Sequence, residues 1–314
     1  MDEERYMEAE RQQNGQRQEN VPPRSRREAP RRGGGWMGKA ALVISVLALA
    51  VSAAALSLTL LGRGEEAAPP AEPETFPYRD RLLTVLEGVP VNGYDPVHFG
   101  MDERGRVTYQ RDGVQAKTGV DVSFYQKEID WQAVAADGID FAIIRVGYRG
   151  YTEGGLILDK CFEQNIQGAL DAGLEVGVYF FSQAISPEEA REEAAYVLEQ
   201  LEGYEVTYPV VFDWEYITSG EGARTEGMDG ETLTQCALAF CEEIRQGGYE
   251  PMVYFNQDMG YLTYDLREFT DLALWLAEYD ERPDFYYHFD LWQYTHTGTV
   301  AGIEGNVDLN LDLR

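Results

Sequence analysis

The segment YPVVFDWE, residues 208–215, carries two carboxylates, Asp213 and Glu215, at the end of an otherwise apolar β-type run. Side chains on a strand alternate with period two, so both acids point to one side. Two acids converging at a strand end suit cleavage of a glycosidic bond. One protonates the leaving oxygen, and the other supports an oxocarbenium-like transition state or activates a nucleophile. Residues i and i+2 of a strand lie about 6.5–7 Å apart at Cα, between the carboxylate separations of retaining and inverting enzymes. Spacing alone leaves the stereochemistry open. It is also a weak signal by itself in a chain with 55 acidic residues.

Further acids strengthen it. Asp121 follows Gly119-Val120 in GVDVS, and Asp308 follows Gly305-Asn306-Val307 in GNVDLNLD, near the start and end of the patterned region. The first and last strands of a closed barrel are neighbours, so four acids would share one mouth. Like charges crowded together cannot all ionise, which is how such sites keep a neutral acid near pH 7. Tyr125, Tyr148, Phe180, Trp214, Tyr254, Trp275, Trp292 and Tyr294 fall at or just beyond strand ends, where rings stack on sugar faces.

The elements that must position these residues follow from periodicity. From Gly119 onward, short β-branched or aromatic runs alternate with helical patterns: GVDVS, FAIIRVGY, EVGVYFFS, YPVVFDWE, PMVYFN, LALWLAEY, FDLWQYT and GNVDLNLD are strand candidates. Helical periodicity fills the early gaps, and Ser186-Pro187-Glu188-Glu189 opens one helix with an N-cap and a first-turn proline. Repeated β-α-β implies parallel strands. The expected fold class is α/β: a modified TIM-like barrel over 117–314, with reduced helices in its C-terminal part and smaller than the usual ~250 residues.

The first third reads differently. Residues 1–39 are rich in Arg, Gln, Glu, Gly and Pro and are expected to be a disordered cytoplasmic tail. Residues 40–62 contain the uncharged run AALVISVLALAVSAAALSLTLL, long enough for a single transmembrane helix. Basic residues precede it and Glu65-Glu66 follow, so the N-terminus is expected inside and the remainder outside a cytoplasmic membrane. A Pro/Glu/Ala linker occupies 63–78. Residues 79–116 read as a small collar or stalk, with a short helix at Arg79–Gly88 and turn signals at Asn92-Gly93, Asp95-Pro96 and Glu103-Arg104-Gly105.

Charge and side-chain inventory exclude several functions. The net charge is −29, and with a net of +2 before Arg63 the remainder carries −31, the wrong sign for a nucleic-acid partner. Three cysteines, Cys161, Cys236 and Cys241, promise no structural disulfide. There is no Gly-rich phosphate loop or G-x-S-x-G elbow, and His98, His288 and His296 lack metal-ligand spacing. No metal and no cofactor are expected.

The strings GVDVSFYQKEIDW, FAIIRVGY, AGLEVGVYFFS, PVVFDWE and LWQYTHTGTVAGIEGNVDLN, taken in order, make Thr118–Arg314 resemble the family-25 glycoside hydrolases, lysozymes of the N,O-diacetylmuramidase type. The resemblance implies hydrolysis of the β-1,4 bond between N-acetylmuramic acid and N-acetylglucosamine in peptidoglycan glycan strands. It implies Glu215 as general acid/base, Asp213 as partner carboxylate, and Asp121 and Asp308 as flanking acids. It favours retention, with the substrate's 2-acetamido oxygen as nucleophile. Where such strings often carry His, this chain has Phe180, which bears on glycan contacts rather than on the acids. From the strand-end aromatics, the expected substrate-binding residues are Tyr125, Tyr148, Phe180, Trp214, Tyr254, Trp275 and Trp292. An alternative is a catalytically silent, membrane-tethered peptidoglycan-binding scaffold. The sequence leaves the oligomeric state open.

Overall fold

The computed structural model describes residues 73–217 and 222–314. The tail at 1–39, the apolar segment at 40–62 and the linker as far as residue 72 lie outside the described residues. No helix among those described is long and apolar enough to cross a membrane. The described residues fall into two compact units, divided between Val85 and Leu86.

The first unit shows an antiparallel hairpin, β1 (Thr75–Tyr78) and β2 (Arg81–Thr84), in which Tyr78 faces Arg81 and Thr75 faces Thr84. This corrects the helix expected from Arg79. The two-residue turn at Arg79-Asp80 reverses the chain, with Arg79 at φ 52, and a tight loop with positive φ matches the twist of the strands it joins.

The second unit begins with the collar. Asp95 caps a 3-10 turn at Pro96–His98, followed by β3 (Phe99–Met101), β4 (Val107–Arg111) and β5 (Val114–Gln115) in an antiparallel sheet. Its residues attach to the C-terminal part of the same unit. The Tyr94 hydroxyl donates to the Phe289 carbonyl at 2.5 Å, the Asn92 amide to the Phe285 carbonyl at 3.0 Å, and Val91 bridges Tyr287.

The barrel strands are β6 (Lys117–Val122), β7 (Phe141–Arg149), β9 (Glu175–Ser182), β10 (Val210–Trp214), β11 (Pro251–Asn256), β12 (Ala273–Ala277), β13 (Leu291–Gly298) and β14 (Val307–Asp312). A short strand, β8 (Leu156–Leu158), pairs antiparallel with β7 outside the ring. The order β6-β14-β13-β12-β11-β10-β9-β7, with β6 also paired to β7, closes eight strands into a barrel. All eight strand candidates of the sequence are present. Neighbours from β6 through β13 are parallel, but β14 runs antiparallel to both β13 and β6. The connection from Gly298 to Val307 explains this departure from an all-parallel ring, because a parallel return needs a crossover of a dozen or more residues.

Helices cover the early gaps: α1 (Trp131–Ala136), α2 (Phe162–Asp171), α3 (Pro187–Gln200) and α4 (Gly230–Gln246), then the short α5 (Gln257–Leu262) after β11. None lies between β12 and β14. The Ser186 hydroxyl accepts from the Glu189 N–H at 3.4 Å ahead of Pro187, and Asp229 accepts from the Thr232 N–H at 2.9 Å, so both long helices start on side-chain caps. Inward positions alternate along the strands into one core that includes Phe141, Ile143, Tyr179, Val211, Met252, Tyr254 and Trp275. Outward positions meet helices, as where Phe212 packs 5.3 Å from Phe240 of α4. Gly119 is required by close approach: a Cβ there would sit 2.2 Å from the Phe141 ring. Cys161, Cys236 and Cys241 are free thiols.

Candidate active site

Asp213 is the fourth residue of β10, level with Phe181 on β9 and Tyr254 on β11, and is almost fully buried. Inward positions on β10 are those of Val211 and Asp213, so Glu215, one step beyond the strand, continues on the same side and is half-buried. Tyr264 is coupled to Asp213: burial first, and then that carboxylate, hold its phenol well above the ordinary tyrosine range.

The Glu215 main chain is fixed from below. Gln183, buried just past the end of β9, donates its side-chain amide to the Glu215 carbonyl at 3.1 Å and to the Ser182 carbonyl at 2.8 Å. Its own amide oxygen accepts from the Thr225 hydroxyl at 3.1 Å. Next along the chain, Arg224 donates to the Gln183 carbonyl at 2.7 Å and grips both oxygens of Glu189 at 2.6 and 2.8 Å. The returning loop is thereby pinned to α3, and that bidentate guanidinium keeps the Glu189 carboxyl below its usual range despite partial burial.

Across the ring, Asp121 and Asp308 are directly opposed in the β6–β14 register. The reversed direction of β14 makes this possible: its beginning lies level with the ends of its parallel neighbours. Asp121 is buried, and its Oδ2 accepts from Gln293 Nε2 at 2.9 Å and Asn310 Nδ2 at 2.8 Å. Those amides are themselves held. Gln293 Oε1 accepts from the hydroxyls of Tyr254 and Tyr279, each at 2.9 Å, and Asn310 Oδ1 accepts from the Trp275 indole N–H at 2.8 Å. Amide donors whose other ends are occupied cannot flip, so Asp121 is presented in one orientation.

The structure brings Asp213, Glu215, Asp121 and Asp308 to one end of the barrel, as carboxylates at the C-terminal ends of parallel strands and the N-terminal end of the reversed one. It sorts the aromatic candidates. Tyr125 is half-buried, stacked 4.3 Å from Phe124, with the buried Arg145 guanidinium 5.5 Å from its ring. Tyr148 is buried with Phe124, Tyr151 and Phe181. Tyr254 and Trp275 are interior rings whose polar tips serve the amides that hold Asp121. Phe180, Trp214 and Trp292 do not provide the expected sugar platforms. Each has 0 % exposure and points out of the barrel, Phe180 toward Tyr196 of α3 and Trp292 toward Phe99 of β3. The Trp214 indole donates to the Ala184 carbonyl at 3.3 Å. With acids at 213 and 215 facing in, the residue between them must face out.

Sequence reading missed Gln183, Tyr264, Tyr279, Gln293 and Asn310. A signal existed for two of them. Gln293 is polar within the aromatic strand LWQYT, and Asn310 falls in VDLNLD, where Asp308, Asn310 and Asp312 alternate onto one face. Among the described residues, no group of three or more His, Cys, Asp or Glu is arranged to hold a metal ion.

A closed barrel with a carboxylate-lined mouth at its strand ends defines the class: a barrel glycoside hydrolase. Comparison with known proteins narrows it. The profile of glycosyl hydrolases family 25 matches residues 120–303, more than half of the chain. The chain belongs to that family and is an enzyme, a glycoside hydrolase of the lysozyme type. It is 31% identical over 203 residues to the uncharacterized protein YegX of Escherichia coli O6:H1, covering 62% of this chain and 68% of that one. It is 26% identical over 284 residues to Lysozyme M1 of Streptomyces globisporus, covering 87% and 91%. The modular autolysin LytC of Streptococcus pneumoniae shares the fold at a TM-score of 0.53 and 24% identity, over 68% of this chain; the match spans 56% of LytC.

Proposed function

We propose that the chain is a muramidase that hydrolyses the β-1,4 bond between N-acetylmuramic acid and N-acetylglucosamine in peptidoglycan. The observation that carries this reading is the placement of Asp213 and Glu215 at one strand end, in the mouth that also holds the opposed pair Asp121 and Asp308. The name of Lysozyme M1, and a LytC structure described as a complex with a synthetic peptidoglycan ligand, support the substrate class.

In this reading Glu215, half-buried and held through its carbonyl by Gln183, delivers the proton to the departing glycosidic oxygen. Asp213, buried beside it, orients the 2-acetamido group, whose oxygen attacks the anomeric carbon. Water, deprotonated by the Glu215 carboxylate, then opens the resulting ring with net retention. Asp121 and Asp308 bound the other side of the cleft and stabilise positive charge developing on the sugar ring. The uncharged segment at 40–62 would hold the enzyme to a bacterial cytoplasmic membrane, N-terminus inside and barrel facing the wall, so that it acts on nearby glycan.

The test is release of reducing ends from purified peptidoglycan, with fragment masses, by the wild-type chain and by Glu215→Gln. Fragments ending in reducing N-acetylmuramic acid, lost in the variant, are expected. Turnover near wild type in Glu215→Gln would remove that residue from its role. Absence of cleavage by the wild type, with wall binding retained, would point to the scaffold instead.

A further inference from the structure

A cleft of about 520 Å³ lies between the collar and the β13–β14 hairpin, within the roughly 300–1,000 Å³ range of small-molecule sites. One wall is the turn Asp102–Arg106, and it is rigidly built. Asp102 Oδ1 accepts from the N–H groups of Arg104 and Arg106 at 2.9 and 2.8 Å, and its own N–H donates to the Arg106 carbonyl at 2.9 Å. Gly105 supplies the φ of 78° that closes the turn.

Arg106 ties this wall to the barrel. Its buried guanidinium donates to the Asp137 carbonyl at 2.7 Å and the Thr299 carbonyl at 3.3 Å, and pairs with the Asp137 carboxylate. The collar, the end of α1 and the tip beyond β13 are therefore locked together. Despite partial burial, the Ala301 N–H and then the Arg106 and Arg104 guanidiniums hold the Asp137 carboxyl below its ordinary range.

The facing side carries Tyr279, 4.6 Å from the His296 ring between centroids, and the hydroxyls of Thr295 and Thr297. Tyr279 also joins the cleft to the acids, because its hydroxyl bonds Gln293, the donor to Asp121. Arg104 and Arg106 are both paired with Asp137, and Asp280 and Glu281 leave a local excess of one negative charge. An anion is not favoured. Aromatic faces beside neutral hydroxyls suit a ligand with C–H faces and hydroxyl or amide edges, which is a sugar.

The family profile matches from residue 120, so the 101–107 wall lies outside the residues it covers. We propose that this collar-walled cleft is an additional saccharide subsite, which takes a further N-acetylated sugar of the same glycan strand that is cut at the acids. The proposal rests on the muramidase reading and extends it.

The experiment compares kcat/KM on peptide-free peptidoglycan glycans of two, four and eight sugars for the full chain and for Thr297→Trp and Glu281→Trp. These variants block the cleft from exposed positions on separate elements. The long-to-short ratio is expected to fall about tenfold, a loss of about 1.4 kcal/mol, in either variant that keeps its thermal midpoint. An unchanged ratio in a folded variant would overturn the subsite while leaving the muramidase reading intact. If the wild type cleaves no length, that reading fails, and calorimetric binding of the eight-sugar strand decides the cleft alone: weaker binding in the variants supports it, and equal binding overturns it.

Discussion

Asp121 and Asp308 face each other across an antiparallel pairing, and Asp121 is hydrogen-bonded to both Gln293 and Asn310. Like charges directly opposed on a sheet repel, and the two amides offset that cost on one side of the pair. Asn310→Leu removes a donor from Asp121 and an acceptor from the Trp275 indole. It is expected to cost about 1–3 kcal/mol of stability and to lower kcat by up to about 10²-fold, since Asp121 is no longer held in one orientation. Urea denaturation and turnover on solubilised peptidoglycan check the two effects.

Gln183 is the corresponding support for Glu215. Gln183→Leu is expected to lower kcat by about 10–100-fold with a smaller change in KM, because the acid loses its position rather than its chemistry. Gln183→Glu retains the acceptor for Thr225 and should recover less activity than wild type, since its ionised carboxylate cannot donate to the Glu215 carbonyl. Steady-state kinetics on one substrate separates the variants, and circular dichroism verifies the fold.

Stability should respond to pH through Glu278, which follows β12. Burial, with the neighbouring Asp284 carboxylate, pushes its carboxyl up to about 8, although the Asp284 and Phe285 N–H groups donate to it and work in the opposite direction. The folded chain keeps this proton where the unfolded chain releases it, near the ordinary value of 4.5. Its contribution is therefore fully present below about pH 4.5 and is lost as pH rises through about 8, at up to ~1.4 kcal/mol per unit in between. Thermal midpoints measured from pH 5 to 8 are expected to fall more steeply in the wild type than in Glu278→Gln.

Gly119→Ala tests the tightness of the ring. A methyl placed 2.2 Å from Phe141, itself stacked 4.7 Å from Tyr208, must displace a core ring. The expected cost is about 1–3 kcal/mol, read as a lower urea midpoint with an unchanged slope.

Alternating patterns made the barrel legible: each strand was marked by a short β-branched or aromatic run, and α3 by its Ser-Pro-Glu-Glu start. Direction was harder to read, because no run of residues says which way β14 points; only the short connection after Gly298 does. The hairpin at Thr75–Thr84 was hidden because Arg79-Asp80 lacks the Gly or Asn that usually announces a tight turn. At the site, charge drew attention to the acids, whereas the uncharged Gln183, Gln293 and Asn310 acquire meaning only through contacts distant in sequence. Trp214 could have been set aside earlier, since the alternation that places Asp213 and Glu215 inward sends their intervening neighbour outward.

Because β14 is seated between β13 and β6, the last strand is the keystone of the ring. Asn310 meets Asp121 across a separation of 189 residues, so the mouth cannot assemble until nearly the whole barrel has been synthesised. A nascent or C-terminally clipped chain would have an open sheet, with two unpaired edges and an Asp121 lacking its Asn310 clamp. Competence to cut would thus arrive together with closure of the ring, so that a half-made barrel carries no working blade.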